Sequence, residues 1–184
     1  SGAILVGAGA PPPGTHGRDL YGPDRSRLDF SNFGAAIDAQ GWGREVTTTG
    51  YGDLQGGGQH FEDVWYTDEF AGTSSASPVV VGALACVQGV LRARGLPLLT
   101  PAQARDLLRN TGSPQQDHPD RPATQRIGNR PDIRAILREL QVPAVPSGIV
   151  ESKPTGPAVA VAELPGGARV TVTITIDGPR QPVR

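Results

Sequence analysis

Methionine is absent from all 184 residues, and the chain opens on Ser1. The expectation is of a chain that starts inside a longer gene product, so a missing leader says nothing of export. Cysteine occurs once, at Cys86, which excludes an internal disulfide and any zinc site built from several thiolates. Aromatic residues are 5% of the chain, so the core has to be built from Ala, Val, Leu and Ile. In the sequence no apolar run reads as long enough to span a membrane. An excess of one charge is lacking too. The 17 basic and 18 acidic residues leave a net −1, which gives nucleic acid or an anionic membrane no electrostatic hold. Neither is expected as a partner.

What the chain does have is turns. With 25 Gly and 18 Pro, tight turns and long loops separate well-formed apolar segments. Ala3-Ile4-Leu5-Val6 reads as a strand buried on both faces, as in a parallel sheet. The Gly7-Ala8-Gly9 that follows is no phosphate loop, because Pro11 to Pro13 stand where its helix would begin. Ser31-Asn32-Phe33-Gly34 makes a turn before a short strand around Ala36 to Ala39. Residues 44–72 read as two strand-like arms around the glycines at 56–58. From Ser75 to about Arg94 the spacing predicts one helix that is apolar all round, hence central and buried. Gly82 and Gly89 share a stripe on it, where close packing against a sheet is expected. Thr100-Pro101 caps and starts a second helix that Gly112 ends. Ile133, Ile136, Leu137 and Leu140 give a third helix its apolar face.

Three regions result: a main α/β region over 1–141, a Pro-rich connector over 142–157, and a β-hairpin over 158–184. Val170, Val172, Ile174 and Ile176 alternate there with threonines, and Pro165-Gly166-Gly167 makes the turn. A lone hairpin is marginal in water, so this one joins the main region or begins a larger β-module.

The chemistry concentrates at Gly72-Thr73-Ser74-Ser75-Ala76-Ser77-Pro78, a polar turn running into the apolar helix. A helix N-terminus offers unpaired N–H groups and the positive end of the dipole. A serine there presents its Oγ, while its own N–H can face the oxyanion of a tetrahedral intermediate. Pro78 is expected in the first turn, where its missing N–H costs nothing. The plain alternative is that one serine merely caps the helix.

The order Gly-Thr-Ser-x-Ala-Ser-Pro before an apolar helix resembles the nucleophile motif of the subtilisin-like serine peptidases. Further stretches of residues 1–140 resemble the same family. "SGAILVGAG" looks like a strand well upstream of the nucleophile, "LDFSNFGAAIDAQGWG" like its Phe-Ser-x-x-Gly turn and next strand, and "VTTTG" like the hairpin before the serine. "RPDIRAIL" looks like a segment of bacterial members. The resemblance implies a partial subtilisin-like parallel sheet with a central buried helix. It makes Ser74 the nucleophile, with its own N–H as an oxyanion donor and Gly72 and Thr73 supporting the loop. It makes Ser75 and Phe30 substrate-cleft candidates, with Phe30 on the leaving-group side. Asp38 matches an acidic position that helps a weak cation site in some members. No cofactor is required, and a structural calcium is the one ion implied, although the chain has no Asp-x-Asp-x-Asp-Gly loop. A polypeptide substrate, a bacterial source and an extracytoplasmic location are also implied.

The mechanism needs a histidine to take the Oγ proton and a carboxylate to orient the imidazole. In the family's chain order both precede the serine by a long way. Asp-Thr/Ser-Gly, His-Gly-Thr and Ala-Gly-Asn are all missing here. His16 and His60 lie in Gly-rich loops and His118 in a Pro/Asp-rich one; Thr15-His16-Gly17 echoes the family's histidine motif in the wrong context. Asp53, Glu62, Asp63, Asp68 and Glu69 read as a solvated hairpin, with peptide selection or an ion as the alternatives. Cys86, about 18 Å along the helix from Ser74, reads as a buried structural thiol. The expectation is the C-terminal half of a serine endopeptidase domain, inactive alone and associated with an N-terminal half that brings His and Asp. The alternative is an inactive scaffold that binds protein.

Overall fold

Small residues, not the apolar run ahead of them, make the first strand. The computed structural model describes residues 2–58, 61–143, 158–163 and 169–174, the last two segments as backbone alone. Strand β1 is Val6–Gly9 and pairs in parallel with β2, Ala39–Trp42, in the register Val6↔Ala39 to Gly9↔Trp42. Both strands lie about three residues beyond the expected positions. Leu5 is 49% exposed, and its N–H is taken by the Asp38 side chain instead of a strand. Residues 34–37 are held in a turn, with the Ile37 N–H on Gly34 O and Arg109 Nη2 donating to Ala35 O. Pairing therefore begins only after Asp38. The far edge of β1 is not bare: Leu28 N–H donates to Ala8 O, and Ser31 Oγ accepts the Ala8 N–H.

Strands β3, Val46–Thr49, and β4, Tyr66–Phe70, pair antiparallel, with a shift in register between Val46 and Thr48. These are the two arms expected around the Gly-rich loop. Helix α1 then runs from Thr73 to Ala93 and packs on β1, β2 and α3, which is Ile133–Glu139. Its inner face supplies Val80, Val87 and Leu91 to a core with Ala39, Leu108 and Ile136. Ala76 joins a second cluster with Ala8, Ala10 and Leu28. Gly41 of β2 sits so close that a Cβ there would strike the Ala76 carbonyl.

The other face of α1 is equally apolar and uncovered, contrary to the all-round burial expected. Val81 is 64% exposed, and Gly82, Ala85, Cys86 and Gly89 are exposed with it. Cys86 is thus an exposed thiol, and nothing lies within 4 Å of where a Cβ on Gly82 or Gly89 would stand. The expected sheet contact of these glycines is absent because the sheet lies against the opposite face. By length and composition alone the helix could cross a membrane, which the reading of apolar runs did not anticipate. Its contacts with two strands and α3 are those of a core helix.

Helix α2, Pro101–Asn110, begins as the sequence requires. Thr100 Oγ1 accepts the Gln103 N–H, and Gln103 Oε1 accepts the Thr100 N–H, a complete capping box. The Arg130-Pro131-Asp132 segment works from both ends. Asp132 caps α3 by accepting the Ala135 N–H, while Arg130 binds Asp24 at 2.7 Å and the Ala10 carbonyl at 2.7 Å.

The chain divides into two units, Ser1–Pro143 and Ala144–Arg184. In the second, β5, Ala158–Glu163, pairs antiparallel with β6, Arg169–Ile174, from Ala158↔Ile174 to Glu163↔Arg169. The expected turn at 165–167 and most of the expected connector lie outside the described residues.

Candidate active site

Strand β4 ends at Phe70, and two residues later Gly72 turns the chain into α1. Its φ of 103° is a conformation open to glycine and strained for other residues. The Gly72 N–H donates to Gly43 O just beyond β2, pinning the turn to the parallel sheet. Gly72 is itself the N-cap of α1, with no side chain capping it. No serine caps this helix, which removes the plain alternative. The helix begins at Thr73, two residues earlier than the spacing predicts.

The three serines of the turn divide cleanly. Ser75 is fully buried, and its Oγ lies 2.9 Å from Trp42 O and 2.8 Å from Gly72 O. It ties the turn to the end of β2 and does not open onto a cleft. Ser77 Oγ donates to Thr73 O at 3.0 Å. Ser74 is exposed, and its hydroxyl has no partner among the described residues. The N–H groups of Thr73 and Ser74 likewise find no backbone acceptor there, as expected for the first two positions of a helix. Pro78 falls beyond the first turn once the helix starts at Thr73. Lacking an N–H, it leaves the Ser74 carbonyl, four residues back, without its helical bond.

Phe30 is 40% exposed, and the Arg44 guanidinium lies 5.1 Å from its ring centre. The turn that carries Phe30 is held from below by Arg27, whose Nη1 donates to the carbonyls of Leu28, Asp29 and Ser31.

Asp38 is 2% exposed, and both its oxygens are committed. Oδ1 binds Arg109 Nη1 at 2.9 Å, and Oδ2 accepts the Leu5 N–H at 2.8 Å. A guanidinium supplies the positive charge there, so these residues do not fit the cation site that the resemblance implies.

No histidine is bonded to Ser74 among the described residues. His16 Nδ1 stands 3.7 Å from Asp68, and its Nε2 is 3.3 Å from Thr47 Oγ1. The His118 ring contacts Arg121 and the Asp120 N–H. His60 lies outside the described residues.

Of the acidic neighbourhood, Asp53, Asp68 and Glu69 come together, within 4.8 Å of one another. Arg18 crosses this group, 3.0 Å from Asp68 and 3.4 Å from Glu69, and also reaches Glu45 at 3.8 Å. Glu45 went unnoticed in the sequence. It is 2% exposed, and neither carboxylate oxygen has a hydrogen bond among the described residues. Burial pushes its carboxyl above the ordinary value, and Arg18 pulls it partly back. No local signal marks Glu45 or Arg18, because fold contacts bring them together from separate loops.

The model of the subtilase family matches residues 20–129, more than half of the chain. Among solved structures the chain is similar to that of the patellamide maturation protease PatA, with a TM-score of 0.54 and 22% sequence identity. The likeness covers 76% of this chain and 43% of that one, so the chain spans less than half the length of this relative. At that identity the likeness speaks for the fold. No curated protein sequence matches. The glycine-led turn into α1, the parallel pair it is pinned to and the family match agree: the chain belongs to the subtilase family.

Proposed function

We propose that this chain supplies the nucleophile of a serine endopeptidase. One observation carries the reading. Of three serines at the mouth of α1, only Ser74 keeps an exposed, unengaged hydroxyl, and it stands at the positive end of a 21-residue helix. In the proposed step Ser74 Oγ bonds to the peptide carbonyl carbon as a histidine takes its proton. The oxyanion lies against the N–H of Ser74, at the free first turn. The carbon–nitrogen bond then breaks, the histidine returns the proton to the leaving amine, and water releases the acyl group.

The histidine and its aspartate come from a preceding segment, in keeping with the family's chain order and the partial span of the solved relative. That segment is also the proposed occupant of the uncovered face of α1. No step requires a metal held by Asp38.

A fluorophosphonate probe applied to the full-length protein containing this chain tests the proposal. Labelling is expected at Ser74 and is lost in Ser74→Ala. Peptide hydrolysis in that variant falls by several orders of magnitude. A folded full-length protein that leaves Ser74 unlabelled overturns the reading, and its scaffold alternative then stands.

A further inference from the structure

We propose that Arg44 captures a carboxylate on the leaving-group side of the bound polypeptide, a reading that rests on Ser74 as the nucleophile. Its guanidinium lies over two rings, 5.6 Å from the centre of Tyr21 and 5.1 Å from that of Phe30. Contacts of this kind hold the group in place, and with Nε buried they leave Nη1 and Nη2 for a two-point bond to a carboxylate.

Other arginines of the main unit are already engaged: Arg18 with Asp68 and Glu69, Arg25 and Arg130 with Asp24, Arg109 with Asp38. Arg44 has no ion pair and no hydrogen bond among the described residues, and its Nε is buried without an acceptor. It lines two adjoining hollows of about 230 and 270 Å³, both shared with Tyr21. In the first hollow, Glu45 and Glu69 already face Arg18. In the second, Asp29 is the one carboxylate, and Arg121 and His118 line it too. Over the two hollows Arg18, Arg44 and Arg121 match Glu45, Glu69 and Asp29 in number, but among the described residues none of these carboxylates is within ion-pair distance of Arg44.

The position is close to the proposed chemistry. Gly43, the residue before Arg44, accepts the Gly72 N–H at 2.9 Å. A Cβ on Gly43 would lie 3.3 Å from the tip of the Phe30 ring. Phe30, Arg44 and the turn carrying Ser74 thus meet around one backbone residue. A peptide whose leaving half passes Phe30 brings an acidic side chain, or its own C-terminal carboxylate, to Arg44.

Peptide binding to the full-length protein carrying Ser74→Ala, read by fluorescence anisotropy, tests this without turnover. One pair of peptides has Glu or Gln in the leaving half. A second pair ends there in a free carboxylate or an amide, so the two sources are told apart. The charged member of at least one pair is expected to bind about tenfold more tightly or better. Arg44→Gln should reduce that ratio to about twofold, and Arg44→Lys should keep part of it, since charge survives but the two-point geometry does not. Arg44→Glu should favour a Lys peptide. Thermal melts identify variants that fold, and Arg44→Lys alone suffices if the others do not. Equal binding within both pairs, or a ratio unchanged by the folded variants, overturns the proposal. Fluorophosphonate labelling of the Ser74 protein separates the two readings. Labelling without a charge preference overturns the Arg44 site alone. A preference without labelling leaves that site standing and overturns the nucleophile.

Discussion

The two faces of α1 have the same chemistry and opposite surroundings. Val80, Val87 and Leu91 are at most 3% exposed, against strands and helices of the same unit. Val81 is 64% exposed one residue from Val80, in line with Gly82, Ala85, Cys86 and Gly89. A protein seldom spends Val and Gly on a solvated helix face, where Lys, Glu and Gln form helix better. The difference teaches that the inner face holds this unit together, while the outer face is suited to contact with something else. The proposed preceding segment fits that need.

The largest effect should separate the faces directly. Leu91→Ala is expected to lower the stability of this unit by about 2–5 kcal/mol, as buried leucines do, whereas Val81→Ala stays within about 0.5 kcal/mol. Urea unfolding of both variants checks this, and equal losses would erase the comparison. Gly82→Ala follows in size. On an uncovered helix face it should add about 1 kcal/mol to the stability of this chain. In the full-length protein the gain should shrink or reverse if a neighbour packs on that glycine. A third test uses Cys86, which stands on the same face. Alkylation by iodoacetamide should be fast in this chain and at least about tenfold slower in the full-length protein, where reaction requires opening of the contact. Equal rates would mean that the outer face stays bare.

The smallest effect concerns two carboxylates that sharpen the same lesson. Asp38 and Glu45 are equally buried, but Asp38 has Arg109 and the Leu5 N–H, while among the described residues Glu45 has Arg18 at 3.8 Å and no side-chain hydrogen bond. Burial raises the Glu45 pKa in the folded state, so the folded chain holds a proton that the unfolded chain has released. Stability contributed by that group is therefore present at acid pH and lost as pH rises above the ordinary glutamate range. Glu45→Gln should melt higher than wild type near neutral pH, and the gap should close toward pH 4. A gap that does not change with pH would show that the Glu45 carboxylate is not carrying the effect.

Much of the local structure was legible in the residues. Thr100, Pro101 and Gln103 carry the start of α2 in their own side chains, and all are within one turn of each other. The arms β3 and β4 announce themselves by composition around a Gly-rich loop. The turn that carries Ser74 was legible through a motif whose members are adjacent in sequence. What escaped lay across distance. Asp38 and Arg109 are 71 residues apart and Arg18 and Asp68 are 50 apart, so nothing local couples them. The start of α1 escaped for a different reason. A glycine cap leaves no side-chain signal, and Pro78 suggested a first turn that the backbone had already passed.

By itself the sequence determined that the residues from about Ser75 onward form a long apolar helix and that a serine-rich turn stands at its mouth. Propensity and periodicity act within a few residues, and they suffice for that. Only the tertiary structure decided which face of α1 is covered, because both faces are apolar and the choice depends on where β1, β2 and α3 lie. It also decided which serine keeps a free hydroxyl. Trp42, from a strand more than thirty residues away, reaches Ser75 and leaves Ser74 unengaged.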